Sequence, residues 1–570
     1  MPDSNGDLIV LGVCYNGDAG AAVIKNGRIV AAISEERLNR EKLWYGVPHR
    51  SIEWVLRSCG LGWSDIDCVA THDGTDRVLA ENRRPHFENM ARRIQDADGL
   101  SASVKAAQTE LLWKKYDHIE YVTRTRTIGH ISEIEQYGRP VERVDHHVAH
   151  AASAYFTSGW NDCYTVTIDG WSTDGSNILC RCYDGRIEVV SRSSIIDSVG
   201  YFYGSITKYL GFTPERHEGK ILGLSARGNP DACFATLSNM IRFDEPAQSF
   251  RGLMERGVYV PYFDNPWLKA HLNGASREDV SAAAQRVLED VVLAYIERLV
   301  PPGSRLAFAG GVAANVRLNQ KILSLPNIRE LFVFPSMGDG GLAVGAALYA
   351  YSQKMPLRPF KLDNVYFGPA FRDEEIEAAL TQGGVRFERC ADVDGAVADL
   401  LAEGHVVARF AGRMEYGPRA LGHRSILYRA DDPSVNDWLN EDLHRTEFMP
   451  FAPVTLAEAA KDCYVIEKNA AEPARFMTIT CDCTPAMRRQ SPGVVHVDGT
   501  ARPQLVHRDQ NPGYHAIVER YRARTGNPSL INTSFNMHEE PIVCSPADAV
   551  RAFTEASIPY LAIGSFLVRR

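Results

Sequence analysis

The sequence predicts an α/β protein of two globular units, and three observations carry that prediction. Two segments open as β-hairpins: DLIVLGVCY with GAAVIKNGRIVAAISEERL, turning at Asn26-Gly27, and CYTVTIDGWSTDGSNILCRCYDGRIEVVS, turning at Asp184-Gly185. Each sets apolar, strand-like runs on either side of the dipeptide that a tight two-residue turn needs. Further on, RLAFAGGVAANVRLNQKI and LFVFPSMGDGGLAVGAALYAY both read as strand, Gly-rich turn and helix, the unit from which α/β sheets are assembled. A chain of 570 residues, 45% hydrophobic, also exceeds one ordinary domain.

Taken in order, the two hairpins open two related halves of a duplicated architecture over residues 1–355. Between them, about 76–139, the chain turns polar and rich in Arg, Lys, Glu and Gln, which predicts an inserted helical subdomain. Periodicity is lost in SQKMPLRPFKLDNVYF, so 356–366 is the expected linker. Residues 367–570 bring fresh strands in GHVVARFAG and NPSLINTSF, a separate α/β unit.

The net charge of −9, from 62 Lys and Arg against 71 Asp and Glu, gives no pull toward nucleic acid or an anionic membrane. No run approaches the ~20 apolar residues that span a bilayer, and MPDSNGDLIVLGV lacks the layout of a signal peptide. A soluble cytoplasmic protein is expected. The twelve cysteines are scattered, and the pairs Cys180/Cys182 and Cys481/Cys483 have C-x-C spacing inside β-type runs. They read as core thiols, because zinc sites favour C-x-x-C.

Chemistry concentrates in a few motifs. In VDHHVAHAASAYF, His146 and His150 are four apart and share a helix face, whereas His147 points elsewhere. The β-run of TIDGWSTDGS ends at Asp169 before Gly170, and PSMGDGGLAVGAA carries Asp339 in a Gly-rich turn ahead of a helix. Two imidazoles and two carboxylates suit iron, manganese or zinc. Gly310-Gly311 permits close backbone approach to a nucleotide; neither G-x-G-x-x-G nor a P-loop lysine accompanies it. In TPERHEGKILGLS, Glu218 and Lys220 stand between a turn and a helical run. GRMEYGPRALGHRS gathers Arg413, Arg419, His423 and Arg424 with Glu415, and guanidinium groups bind phosphates through paired hydrogen bonds. NTSFN adds Asn532, Thr533, Ser534 and Asn536, and HVDGTARPQ adds Asp498 and Arg502. No Ser/His/Asp or Cys/His nucleophile motif is apparent.

In this order the motifs resemble those of the NodU/CmcH family of O-carbamoyltransferases, which act on Nod factors, cephalosporins and aminoglycosides. The resemblance runs from DAGAAVIKNGRIVAAISEERLNR through HHVAHAASAYF, IDGWSTDG, HEGKILGLS, FAGGVAANVRLN and GDGGLAVGAAL to GRMEYGPRALGHRSIL, EFMPFAP, HVDGTARPQ and NTSFNMHEEPIV. It implies an actin/Hsp70-like (ASKHA) two-lobed first domain and a YrdC-like carboxy-terminal domain. The latter would make carbamoyl-adenylate from carbamoyl phosphate and Mg-ATP. The former would transfer the carbamoyl group to a hydroxyl of a small natural-product acceptor.

Carried over by resemblance, His146, His150, Asp169 and Asp339 would bind a divalent metal, Fe(II) being the usual suggestion, with Mn and Zn as alternatives. Gly310, Gly311, Asn315 and Gly338 would border the adenosine, and Glu218 and Lys220 the transferred group. Arg413, Arg419, Arg424, Arg445, Arg502, Asn532, Ser534 and Asn536 would bind carbamoyl phosphate and ATP. His147, Asp18 and Glu218 are unranked candidates for the base. The chain departs from the family where it has Gly17-Asp18 in place of His-Asp, REKLWYG in place of a Lys-His pair, and Leu443, Thr446 and Met449 around Arg445. An acidic chain is compatible with a cationic acceptor. A homodimer is the expected form of any self-association.

Two other readings are discriminated by product. An ASKHA-type small-molecule kinase would release ADP and needs no basic second unit, and a non-catalytic nucleotide-binding partner protein would turn over no nucleotide.

Overall fold

The computed structural model describes residues 7–73, 76–170, 172, 175–256, 266–442 and 450–570. Its strands in the first half are β1 (Ile9–Cys14), β2 (Gly20–Lys25), β3 (Arg28–Ser34), β4 (Cys68–His72) and β5 (Val141–Val144). Asn26 and Gly27 join β2 to β3 with φ of +51° and +72°, the left-handed pair that a type I′ turn requires. The second half holds β6 (Asp162–Ile168), β7 (Gly175–Tyr183), β8 (Arg186–Ser194), the hairpin β9 (Ile241–Asp244) and β10 (Ser249–Gly252), then β11 (Ser304–Ala309) and β12 (Ile328–Val333). Asp184 and Gly185 repeat the left-handed pair between β7 and β8, at +48° and +77°.

The sheets run β3-β2-β1-β4-β5 and β8-β7-β6-β11-β12. Counting the sheet strands within each half gives the same order, 3-2-1-4-5, and in both sheets the first, fourth and fifth strands are parallel. This duplication is the two-lobed actin/Hsp70-like architecture. Helices α1 (Asp76–Gln95), α2 (Ala102–Val122) and α3 (Ile128–Glu135) form the insertion between β4 and β5.

Two helices are central to the first domain. Helix α4 (His146–Thr157) leaves β5 and packs on β6 and β11 of the other sheet, and α8 (Leu342–Lys354), after β12, packs back on β1 and β4. Between them lie α5 (Val199–Tyr209), α6 (Glu218–Ser225) and α7 (Val316–Ser324). Each central helix crosses to the opposite half, and α4 packs against α8.

The carboxy-terminal domain contains β13 (Phe387–Arg389), β14 (Val407–Phe410), β15 (Arg424–Arg429), β16 (Ala452–Leu456), β17 (Cys481–Asp482), β18 (Thr500–Ala501), β19 (Gln504–Val506), β20 (Ser529–Ser534), β21 (Tyr560–Ile563) and β22 (Phe566–Arg569). Eight of these form one sheet, ordered β13-β22-β21-β14-β15-β20-β16-β19. Val407, Leu427, Val454 and Leu530 bury one face of it against α9 (Val393–Ala402) and α10 (Pro512–Thr525) through Val397, Leu401, Tyr514 and Tyr521. The chain divides into two compact units, Met1–Tyr15, Ala22–Arg28 and Gly60–Lys361 against Asn16–Ala21, Ile29–Cys59 and Leu362–Arg570. All twelve cysteines are free thiols, and Cys180, Cys182, Cys481 and Cys483 are buried. Among the described residues no helix is long and apolar enough to cross a membrane.

Candidate functional site

Helix α4 begins at a strong cap: the Asp145 carboxylate accepts the Val148 N–H at 3.0 Å and is held by Arg192, also at 3.0 Å. Its first turns carry His146, His147 and His150, all buried. The approach to α8 is so close that a Cβ on Gly345 would stand 1.9 Å from the Ala149 carbonyl oxygen, so a larger residue there would push the helices apart. Asp339 lies in the short turn that leads into α8, and this packing brings it beside the two same-face histidines.

Asp169 comes from the end of β6. Its two oxygens accept the N–H groups of Gly170 at 2.7 Å and Gly311 at 3.1 Å. Gly310 has φ of +94°, and a Cβ on it would stand 2.3 Å from the Ile168 oxygen, so only glycine lets β11 turn here against β6. His150 Nε2 lies 3.1 Å from Asp169 Oδ2 and 3.5 Å from Asp339 Oδ1. His146 Nε2 lies 3.7 and 3.6 Å from the same atoms. Ligand atoms of all four residues fall within 4.8 Å of one another.

Both ring nitrogens of His146 and Nδ1 of His150 are buried without a hydrogen-bond partner. Each such atom costs about 1–3 kcal/mol if nothing satisfies it. Burial alone would lower the His146 pKa, but Asp339, Asp169 and Asp73 override it and raise it to about 9. Burial likewise acts to raise Asp169, and the two imidazoles hold it well below the carboxylate range. The orphaned Nε2 of His146 and the Nε2 of His150 converge with two carboxylates in a group that could hold a divalent cation.

His147 stands outside this set. Its Nδ1 is 2.8 Å from Thr167 Oγ1, and burial followed by the charge of His146 pushes its pKa far down. Glu218 opens α6, half-buried, and accepts the Glu215 N–H at 2.8 Å; burial raises its pKa. Lys220 is buried, its ammonium 5.9 Å above the Phe212 ring. Asn315 caps α7 by accepting the Leu318 N–H at 3.0 Å and pairs with Gln285, so its amide also serves the fold. Gly338 precedes Asp339 at the N-cap of that turn. Asp18 falls in the segment Asn16–Ala21 of the second unit, with φ of +71°.

Sequence reasoning passed over Glu215 and the His72-Asp73 pair. Glu215 is exposed as a residue, yet burial of its carboxyl, and then Asp339, Glu218 and Asp169, raise its pKa to about 7. His72-Asp73 ends β4 much as Ile168-Asp169 ends β6, which was the available signal.

In the second unit the arginine-rich loop before β15 is organised by Glu415, which is buried and accepts the N–H groups of Leu421, His423 and Arg424 at 2.8, 2.6 and 3.2 Å. Arg424 is fully buried, stacked 3.6 Å over Phe410, and donates to the carbonyls of Ala411, His423 and Pro369. Arg413 donates to the carbonyls of Val30, Phe367 and Gly368. Asn532 is buried and donates to Ala420 O and Gln504 Oε1, while Gln504 donates to Leu421 O. Donors of all three expected phosphate ligands are thus spent in part on a framework of protein oxygens, while Arg424 Nε stays buried without a partner.

That framework joins the three motifs, placing Arg419 beside Ala420 and Arg502 two residues from Gln504 on one network. Ser534, at the end of β20, is paired in register with Ser425, and Asn536 donates to the carbonyls of Met537 and Glu540. Arg445, with Leu443, Thr446 and Met449, lies outside the described residues.

Two family profiles match this sequence: the carbamoyltransferase N-terminus over residues 9–348 and the carbamoyltransferase C-terminus over 398–570. The chain belongs to the carbamoyltransferase family. It is 32% identical to the nodulation protein NolNO of Sinorhizobium fredii, over 97% of this chain and 79% of that one. It is also 32% identical to nodulation protein U of the same organism, over 95% and 96%. Among solved structures, component A of the (R)-2-hydroxyglutaryl-CoA dehydratase of Acidaminococcus fermentans aligns with 61% of this chain and 98% of its own, at 15% identity and a TM-score of 0.35. As a carbamoyltransferase the protein is an enzyme of carbamoyl transfer.

Proposed function

We propose that this carbamoyltransferase is ATP- and metal-dependent: it makes carbamoyl-adenylate from carbamoyl phosphate and ATP in its carboxy-terminal domain and carbamoylates a hydroxyl of a small metabolite in its first. The observation that carries this reading is the convergence of His146, His150, Asp169 and Asp339 beside the Gly310-Gly311 turn, within a chain that matches the family over residues 9–348 and 398–570. In the balanced reaction, carbamoyl phosphate loses phosphate to water, the carbamate oxygen attacks the α-phosphorus of ATP, and pyrophosphate leaves. The acceptor oxygen then attacks the carbamoyl carbon and AMP leaves with the bond's electron pair.

In the second unit Arg419, Arg502, Ser534 and Asn536, with Arg445, bind the phosphates. In the first, Gly310, Gly311 and Gly338 let the adenylate approach the backbone. Bound divalent metal, Fe(II) in the first instance, would supply polarisation of a phosphoryl or carbonyl oxygen. Gly170 and Gly311 keep the Asp169 carboxylate turned toward the histidines. Glu218, its pKa raised by burial, is better matched than His147 to accept the acceptor's proton, because an efficient base has a pKa near the working pH. Adenylation gives the carbonyl a leaving group with a large handle, so binding energy remote from the carbonyl can orient it.

The test incubates purified protein with ATP, carbamoyl phosphate and a panel of hydroxylated metabolites. AMP and pyrophosphate should form only when carbamoyl phosphate is present, and one metabolite should gain a carbamoyl mass. ADP as the nucleotide product defeats the proposal.

A further inference from the structure

His146 is flanked on both sides. Its Nε2 faces Asp169 and Asp339, while its Nδ1 faces Asp73 Oδ1 at 3.8 Å, within ion-pair range but beyond a hydrogen bond. Asp73 is buried in a left-handed conformation, φ +83°, a conformation in which Asp and Asn are several-fold enriched. Its other oxygen is already engaged. Tyr15 donates its hydroxyl to Oδ2 at 2.8 Å, and His72 Nδ1 stands 3.0 Å from the same atom. The Tyr15 backbone N–H points at His72 Nε2 at 3.4 Å. A main-chain N–H can only donate, so His72 Nε2 is the accepting nitrogen and the ring proton sits on Nδ1, toward Asp73. The Tyr15 and His72 rings stack at 4.4 Å, and the His72 ring meets His146 edge-on at 5.7 Å.

We propose that Asp73, braced by Tyr15 and His72, is a positioning residue for His146, holding the ring proton on Nδ1 so that Nε2 presents its lone pair to a bound divalent metal. This rests on the metal reading above. A carboxylate behind a ligating histidine is a recurrent outer partner of metal sites. The same geometry disfavours His72, Asp73 and His146 as a second metal group, because a metal on His72 Nδ1 would move the ring proton to Nε2, against the Tyr15 N–H. Replacing Asp73 with Asn would reverse the preference. The amide oxygen must remain where Tyr15 donates, so its NH2 turns to His146, whose Nδ1 then accepts and whose Nε2 acquires the proton.

Metal-free wild type, Asp73→Asn, Tyr15→Phe and His150→Ala proteins, checked for fold by circular dichroism, would be titrated with Co2+. Affinity and ligand-field spectrum would be read optically and stoichiometry by elemental analysis. Wild type should bind one ion per chain. Asp73→Asn should bind one ion roughly 10–100-fold more weakly, with a changed spectrum, Tyr15→Phe should lose a few-fold, and His150→Ala should lose the site. Wild-type affinity and spectrum in Asp73→Asn, with binding lost in His150→Ala, overturn the inference and leave the metal reading standing. Two ions per chain in wild type, falling to one in Asp73→Asn, make Asp73 a ligand and also overturn it. No Co2+ binding by wild type overturns both. If Asp73→Asn does not fold, Tyr15→Phe decides, and an unchanged affinity there counts against the proposal.

Discussion

The histidine-aspartate cluster of the first unit and the arginine-rich loop of the carboxy-terminal unit both gather polar and charged side chains, yet their buried groups differ in how much of their hydrogen bonding the protein takes up. In the cluster, His146 keeps two buried nitrogens without a hydrogen-bond partner and His150 keeps one. In the arginine-rich unit Arg424 Nε, Asn532 Oδ1 and Glu415 Oε2 are also buried without a partner, but each belongs to a side chain otherwise bonded to the protein: Arg424 and Asn532 donate to main-chain or side-chain oxygens, and Glu415 collects three backbone N–H groups. A buried imidazole that makes no hydrogen bond at all, such as that of His146, is set for a partner the protein does not itself supply. A side chain with most of its polar atoms on protein groups holds the fold.

Substitutions should separate the two regions. The largest effect is expected from Asp339→Ala, which should lower metal affinity by more than the roughly 100-fold that an outer-shell loss costs, with the melting temperature of the metal-free protein nearly unchanged. Next, Arg424→Met strands the carbonyls it serves, at about 1–3 kcal/mol for each left unpaired. It should destabilise the protein by several kcal/mol in urea unfolding while metal content stays at the wild-type level. Equal loss of metal in both variants would erase the contrast.

Lys115 sharpens it from the helical insertion. Its ammonium is buried, 3.1 Å from the Tyr201 hydroxyl, and burial lowers its pKa to about 7. The folded state therefore releases this proton near pH 7 and the unfolded chain near pH 10.5. Between those values the unfolded state binds more protons, so this group makes stability rise with pH. Lys115→Met should flatten that rise in melting temperature between pH 7 and 10. The smallest effect is expected from Glu415→Gln, which keeps one carbonyl acceptor for the loop N–H groups and should cost about 1 kcal/mol, measured as a shift in urea midpoint without loss of metal.

Much of the fold was legible because local chemistry dictates it. Asn26-Gly27 and Asp184-Gly185 are left-handed turns wherever they join strands, and Gly310 announces a turn that tolerates no side chain. The donor residues were also legible as types at strand ends and one helix face. Their meeting was not, since it depends on α4 and α8 each crossing to the opposite half and on Gly345 letting them touch. Asp73 was overlooked for a related reason: its value lies in what Tyr15 and His146 do around it, at distances of 58 and 73 residues along the chain.

The arginines mark the boundary most clearly. Residue type establishes that Arg424 carries a charge and planar donors, and motif order places it in the carbamoyltransferase family. Whether those donors meet a phosphate or a carbonyl depends on Pro369, Ala411 and the Phe410 ring arriving at the same place. Likewise, no composition marks Asn16–Ala21 and Ile29–Cys59 as part of the second unit. Turn and helix preferences are short-range and can be read along the chain, whereas the partner of a long polar side chain is set by packing between distant segments.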